Sequence, residues 1–231
     1  MIPINSKPRI LFCGDTAISV EFGDKIDPEI NARVRRLHAL LKEGGHTGIS
    51  GLNPTYRSLF IQYDPWECSF ERLVGIVEQY LPHIGTPMET VSSVKQIPVC
   101  YGGELGPDLE QVADLHGLCG DELIRLHCAP VYQVYMIGFT PGFAYLGGLD
   151  ERLHTPRRKE PRKRVAAGSI GIADRQTGIY PIESPGGWRL IGRTYLKIFD
   201  PERERPFFLE AGDLVRFNRI GEEEFEKHYS P

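Results

Sequence analysis

Tyr135–Thr194, YMIGFTPGFAYLGGLDERLHTPRRKEPRKRVAAGSIGIADRQTGIYPIESPGGWRLIGRT, is the stretch whose reading decides the fold. Two apolar runs inside it, Gly168–Ala173 and Trp188–Gly192, stand between glycines and prolines. Glycine supplies positive φ at no steric cost and proline fixes φ, so these runs read as short strands joined by tight turns. Aromatic residues sit between the turns, and seven Lys or Arg side chains fall between Arg152 and Arg164. The pattern predicts a compact β-structure with shaped loops.

Working outward toward the N-terminus, residues 9–22 read as two strands around a Gly14-Asp15 turn. A helix follows from Pro28, with Asp27 as N-cap, Pro28 at the first helical position and Gly44-Gly45 as the stop. Its apolar face is Ile30, Val34, Leu37 and Leu41. Ile49–Asp64 returns to strand character, and a second helix begins after Ser69, carries Phe70, Leu73, Val74, Val77 and Leu81 as its stripe, and ends at Gly85-Thr86-Pro87. Two strand–helix units of this size predict a small α+β sandwich, with helices on one face of an antiparallel sheet. The pattern restarts with a strand at Val91–Val99, which places a domain junction between 85 and 91 and divides the chain into 1–88 and 89–231. A helical pair, 107–116 and 121–128 hinged at Gly117, then leads into the decisive stretch. Its spacing approaches that of a helix-turn-helix, but the second helix, DELIRLHCAP, offers one arginine against two acids and lacks the donors a reading helix needs. It reads instead as a hairpin covering one end of a barrel.

With 231 residues, 41% of them hydrophobic and 25% charged, the chain has material for a real core. A formal charge of −4 argues against general nucleic-acid affinity. No signal-like h-region opens the sequence and no run approaches the roughly 20 apolar residues that span a bilayer, so a cytoplasmic location and no membrane partner are expected. The five scattered cysteines form no C-x-x-C pair and read as reduced core thiols; no metal site is expected from them.

Candidate site residues fall in and just before the decisive stretch. Phe139, Phe143 and Tyr145 form an aromatic, tightly turned wall of the kind small-ligand pockets show. Gln176, Thr177, Tyr180 and Glu183 supply polar groups. Arg157, Arg164 and Arg193 lie beside turn residues and are the cations expected to point inward, where they could neutralise a carboxylate or phosphate. His127 lies one turn beyond Leu123 and Ile124. It is either a satisfied buried histidine or a residue bordering the cavity, and geometry decides. No GxxxxGK phosphate loop, GxSxG elbow, HExxH or dinucleotide fingerprint is present, so any catalysis is expected to be shared with another chain.

The run GFTPGFAYLGGLDERLHTPRRKEPRKRVAAGSIGIADRQTGIYPIESPGGWRLIGRT, with Gly14-Asp15, YRSLFIQYDP and AGDLVRF around it, resembles the family of bacterial 5-oxoprolinase B subunits. That family includes kinase-inhibitor proteins, was formerly labelled allophanate hydrolase subunit 1, and is similar to part of the carboxyltransferase region of urea carboxylase. The resemblance implies an α+β N-terminal sandwich domain followed by a mainly-β, cyclophilin-like barrel. It also implies ATP-dependent opening of 5-oxoproline to glutamate in a complex with subunits A and C, with Mg2+ as a companion of the nucleotide. On that reading Glu183, Arg157, Arg164 and His127 are the catalytic candidates, and Phe139, Phe143, Tyr145, Gln176, Thr177, Tyr180 and Arg193 bind substrate. The alternative it leaves open is a non-catalytic inhibitor of a sensor histidine kinase. Ala144, where the family often has proline, and Asp174-Arg175 depart from the pattern.

Overall fold

A computed structural model describes residues 7–85 and 93–229, which form parts of two compact units, Met1–Val91 and Ser92–Pro231. The expected junction at 85–91 lies almost wholly outside the described residues, as does Val91 at the head of the expected strand.

In the first unit, strands β1 (Arg9–Phe12), β2 (Ala17–Glu21), β3 (Ile49–Pro54) and β4 (Ser58–Tyr63) form an antiparallel sheet in the order β1-β2-β4-β3. Helix α1 (Pro28–Gly44) begins where its cap chemistry dictates: the Asp27 carboxylate accepts from the N–H groups of Glu29 and Ile30, and Gly45 ends the helix in the left-handed region at φ 55°. Helix α2 (Phe70–Tyr80) is capped by the Ser69 hydroxyl, which accepts from Arg72 N–H. It stops before the expected Gly85, because Pro82 falls in a tighter 3-10 turn over Leu81–His83. Ile30, Val34, Leu37 and Leu41 of α1 and Leu73 and Val77 of α2 share one core with Ile18, Val20, Leu59 and Ile61 of the sheet. This is the sandwich the periodicity predicts.

The second unit is built on β5 (Lys95–Tyr101), β6 (Tyr132–Ile137), β7 (Ala144–Gly147), β8 (Arg162–Val165), β9 (Ser169–Ala173), β10 (Gln176–Ile179), β11 (Ser184–Gly186), β12 (Arg189–Arg193) and β13 (Leu214–Ile220). They close into a barrel in the order β10-β7-β6-β13-β5-β12-β9, while β8 and β11 pair separately as a two-stranded ribbon. Closure depends on β13 lying parallel to β5, with Ile97 beside Phe217. The strand that opens this unit therefore belongs to the barrel. Helices α3 (Leu109–Leu115) and α4 (Gly120–Cys128), joined through Gly117 at φ 65°, add Val112, Leu123 and Leu126 to the barrel's core beside Val134, Ile170, Ile172, Ile191 and Phe217. The apolar face that approached a DNA-reading motif is thus committed to barrel packing. Helix α5 (Glu222–His228) closes the described chain. Among the described residues no helix is long and apolar enough to cross a membrane.

Candidate functional site

Strands β9 and β10 alternate between two environments. Ile170, Ile172, Thr177 and Ile179 belong to the barrel interior, whereas Gly171 and Gly178 lie against a second apolar cluster of Phe143, Val165, Ala173, Tyr180, Trp188 and Leu190. A Cβ at Gly178 would stand 2.9 Å from the Trp188 ring and 3.0 Å from that of Phe143, and one at Gly171 would stand 2.9 Å from Trp188 Cβ. These glycines are therefore not turn residues. They strip the barrel wall of side chains so that aromatic rings can lie directly on the backbone.

The rings interlock edge to face. Phe143 stands 5.0 Å from Tyr180 and 5.3 Å from Trp188 at interplanar angles of 88° and 78°, with Tyr145 4.6 Å away. They leave a cavity of about 240 Å³ floored by Phe143, Tyr145, Tyr180 and Trp188, with Phe139 and Arg157 at its edge and Pro161 and Pro185–Gly187 closing the side formed by the β8–β11 ribbon. Phe139 and Asp174 are the non-glycine residues with positive φ among those described, at 64° and 52°. Such backbone costs about 1–3 kcal/mol and persists only where the surroundings over-determine it. Both residues belong to this site: Phe139 lines the cavity, and Asp174 accepts a 3.4 Å contact from Arg157 Nε. The Arg157 guanidinium also lies 5.9 Å from the Trp188 ring centroid. Burial raises the hydroxyl pKa of Tyr145 and pushes that of Tyr180 up to about 12, so both phenols stay protonated across the neutral range.

Of the residues singled out in the sequence, Phe139, Phe143, Tyr145, Tyr180 and Arg157 meet in this one cavity. The others do not. Gln176 and Thr177 are buried in the barrel wall, because β10 turns Thr177 toward the interior. Glu183 and Arg193 line a different cavity, of about 360 Å³, together with Tyr195, Phe199 and Tyr229. Phe143 and Glu183 share no cavity, which corrects the expectation of a single site spanning both. Arg164 pairs with Glu183 at 2.8 Å while both side chains are mostly exposed, a geometry of little energetic consequence. Arg193 donates to the Ala167 carbonyl and the Tyr229 hydroxyl, so its donors serve the second cavity's own wall.

His127 takes the buried alternative. It is fully buried in the barrel, stacked 4.5 Å from Phe217. Thr177 donates its hydroxyl proton to the Gly171 carbonyl at 3.0 Å, so its oxygen accepts from His127 Nε2–H at 2.9 Å. Nδ1 is then the acceptor, and Tyr101 donates to it at 2.8 Å. Both ring nitrogens are satisfied by a neutral imidazole, and burial lowers the pKa to about 3. This histidine does not reach the candidate cavity.

Sequence reasoning missed Asp108. It stands at the N-cap position of α3, yet its carboxylate makes no cap bond there. Instead it accepts from Arg162 at 2.8 Å, from Arg158 at 3.2 Å and from Leu190 N–H at 2.7 Å, at 3% exposure. Burial pushes its pKa up, but the Arg162 and Leu190 hydrogen bonds and the two guanidinium charges outweigh that and hold it below the ordinary carboxylate value. The only sequence signal was one acid facing a run of bases some fifty residues later. Trp188 and the ribbon glycines were likewise read as strand and turn rather than as cavity wall.

Residues 8–209 match the family model for the carboxyltransferase domain, subdomain C and D. The chain is 41% identical over 93% of its length to the 5-oxoprolinase B subunit of Bacillus subtilis, covering 94% of that protein. It is 54% identical over 91% of its length to the 5-oxoprolinase B subunit of Escherichia coli O157:H7, covering 95% of it. The solved structure of TTHA0988 superposes with a TM-score of 0.79 at 39% identity over 88% of this chain, which spans 40% of that longer one. A barrel and sandwich of this form, carrying these matches along nearly the whole chain, place the protein in the family of 5-oxoprolinase B subunits, within the carboxyltransferase subdomain C and D group.

Proposed function

We propose that the chain is the B subunit of an ATP-dependent 5-oxoprolinase, active together with subunits A and C. The observation that carries this reading is the single-cation aromatic cavity beside Arg157, in a chain more than 40% identical over nine-tenths of its length to proteins named for that role. A lactam is a poor electrophile because nitrogen donation blunts its carbonyl. Transfer of the ATP γ-phosphoryl group to the lactam oxygen, with ADP leaving, makes the carbon attackable by water. Expulsion of the ring nitrogen then gives an acyl phosphate, and a second water releases phosphate and glutamate. In this chain the aromatic floor receives the ring methylenes, and Arg157 lies where a guanidinium can stabilise charge gathering on the lactam oxygen.

Among the described residues no group of three or more His, Cys, Asp or Glu side chains could hold a metal ion. We therefore place ATP and any Mg2+ on the partner subunits and assign no step in this chain to the metal. The test is reconstitution with candidate A and C subunits, assayed for 5-oxoproline-dependent ADP release. Activity is expected in the assembled complex only, and robust ATP-dependent glutamate formation by this chain alone would overturn the shared-site reading.

A further inference from the structure

Six basic side chains lie between Arg157 and Arg164, and the structure sorts them by what they face. Arg164 reaches out to exposed Glu183, whereas Arg158 and Arg162 converge on one carboxylate, Asp108, fifty or more positions earlier. The backbone on either side of Arg157 is held as well. Thr155 exchanges two backbone hydrogen bonds with Asp174, at 3.2 and 2.7 Å, and Arg158 N–H donates to the Gly187 carbonyl at 2.8 Å. Gly187 and Pro161 are themselves cavity walls, and Arg162 opens the ribbon strand that pairs with Gly186.

We propose that Asp108 is a positioning residue of the aromatic cavity: by clamping Arg158 and Arg162 from beneath, it fixes the segment from which Arg157 presents its guanidinium over Trp188. The carboxylate also accepts from Leu190 N–H, two residues beyond Trp188, so one buried group sets both the cation and the aromatic wall it faces. Without Asp108, two guanidinium groups that are mostly buried would lack their anion, and relaxation of Arg158 would move its neighbour Arg157. Arg162 Nη1 is already buried with no hydrogen-bond partner, so the clamp has no second acceptor in reserve at that atom. Displacement of about 1 Å at a positioned group can cost on the order of 10²-fold in rate. As a statement about catalysis the inference rests on the reading of this cavity as the substrate site; as a statement about geometry it does not.

The experiment is a double-mutant cycle with two readouts. Asp108→Asn keeps an oxygen for Leu190 N–H and removes the charge. In the reconstituted complex, Asp108→Asn is expected to lower kcat/KM for 5-oxoproline by roughly 10- to 100-fold in the wild-type background, and to cause little further loss when Arg157 is already alanine. Equal losses in both backgrounds would mean that Asp108 supports only the general fold, and would overturn the proposal. In the chain alone, a Trp66→Phe background leaves Trp188 as the only tryptophan. Arg157→Ala and Asp108→Asn should then shift Trp188 emission non-additively. A response to Arg157→Ala without one to Asp108→Asn contradicts the proposal even if the cavity holds no 5-oxoproline. Conversely, coupled emission shifts with no effect of Arg157→Ala on turnover would remove the substrate reading and leave the positioning role standing. Should Asp108→Asn not fold, Arg158→Gln takes its place in the same cycle, with the same two outcomes.

Discussion

Replacing Phe143 by alanine is expected to lower the stability of the barrel unit by about 3–5 kcal/mol. Phe143 is 1% exposed and touches four rings, those of Phe139, Tyr145, Tyr180 and Trp188. It also covers the bare backbone of Gly178, where no side chain can move in to refill the space. The cost is therefore that of burial plus an uncollapsed cavity. Phe143→Leu, which keeps most of the volume, should cost much less. Urea denaturation followed through Trp188 in a Trp66→Phe background measures both. A loss below about 1 kcal/mol for the alanine variant would mean that the aromatic cluster repacks freely, and is not the rigid floor described here.

His127 gives the second large effect, in acid. Its folded-state pKa, about 3, lies below the ordinary value of about 6.5 for an unfolded histidine, so the unfolded chain takes up a proton that the folded chain refuses. The stability this neutral ring contributes is fully present above pH 6.5 and is lost as pH falls toward 3, at a limiting slope of about 1.4 kcal/mol per pH unit. A charged ring would have to oppose the Tyr101 hydroxyl proton now donated to Nδ1, inside the barrel core. His127→Gln should be less stable than wild type at neutral pH and should approach it as the pH falls from 6.5 to 5. Parallel stability curves over that interval would show that His127 titrates alike in both states.

Much of the fold was written in local chemistry. Asp27, Pro28 and Gly45 bound the first helix by themselves, and the short apolar runs around Ile170 and Ile191 are strands because flanking turns leave them no other length. Barrel closure was not legible, since the parallel pairing of Ile97 with Phe217 joins residues 120 positions apart, and no local pattern records it. The site was half legible for the same reason. Phe139, Phe143, Tyr145 and Tyr180 announce themselves by type, but which cavity a polar residue faces depends on strand parity: one step along β10 separates Thr177, in the core, from Gly178 under the rings. Asp108 looked like a helix cap because its partners, Arg158 and Arg162, are near it only in space.

The claim at the centre of this account is that the aromatic cavity on the barrel's outer wall, with Arg157 as its cation, is where the chain meets substrate. The direct measurement is 5-oxoproline-dependent turnover of the reconstituted complex carrying Arg157→Ala or Arg164→Ala. Arg157 and Arg164 both belong to the same basic run, and both form exposed ion pairs, so their effects on stability should be similarly small. Loss of a donor to developing charge predicts a fall of about 10² for Arg157→Ala, while Arg164→Ala, whose guanidinium pairs with Glu183 away from this cavity, should turn over like wild type. Full activity of Arg157→Ala, or a large loss confined to Arg164→Ala, would contradict the assignment.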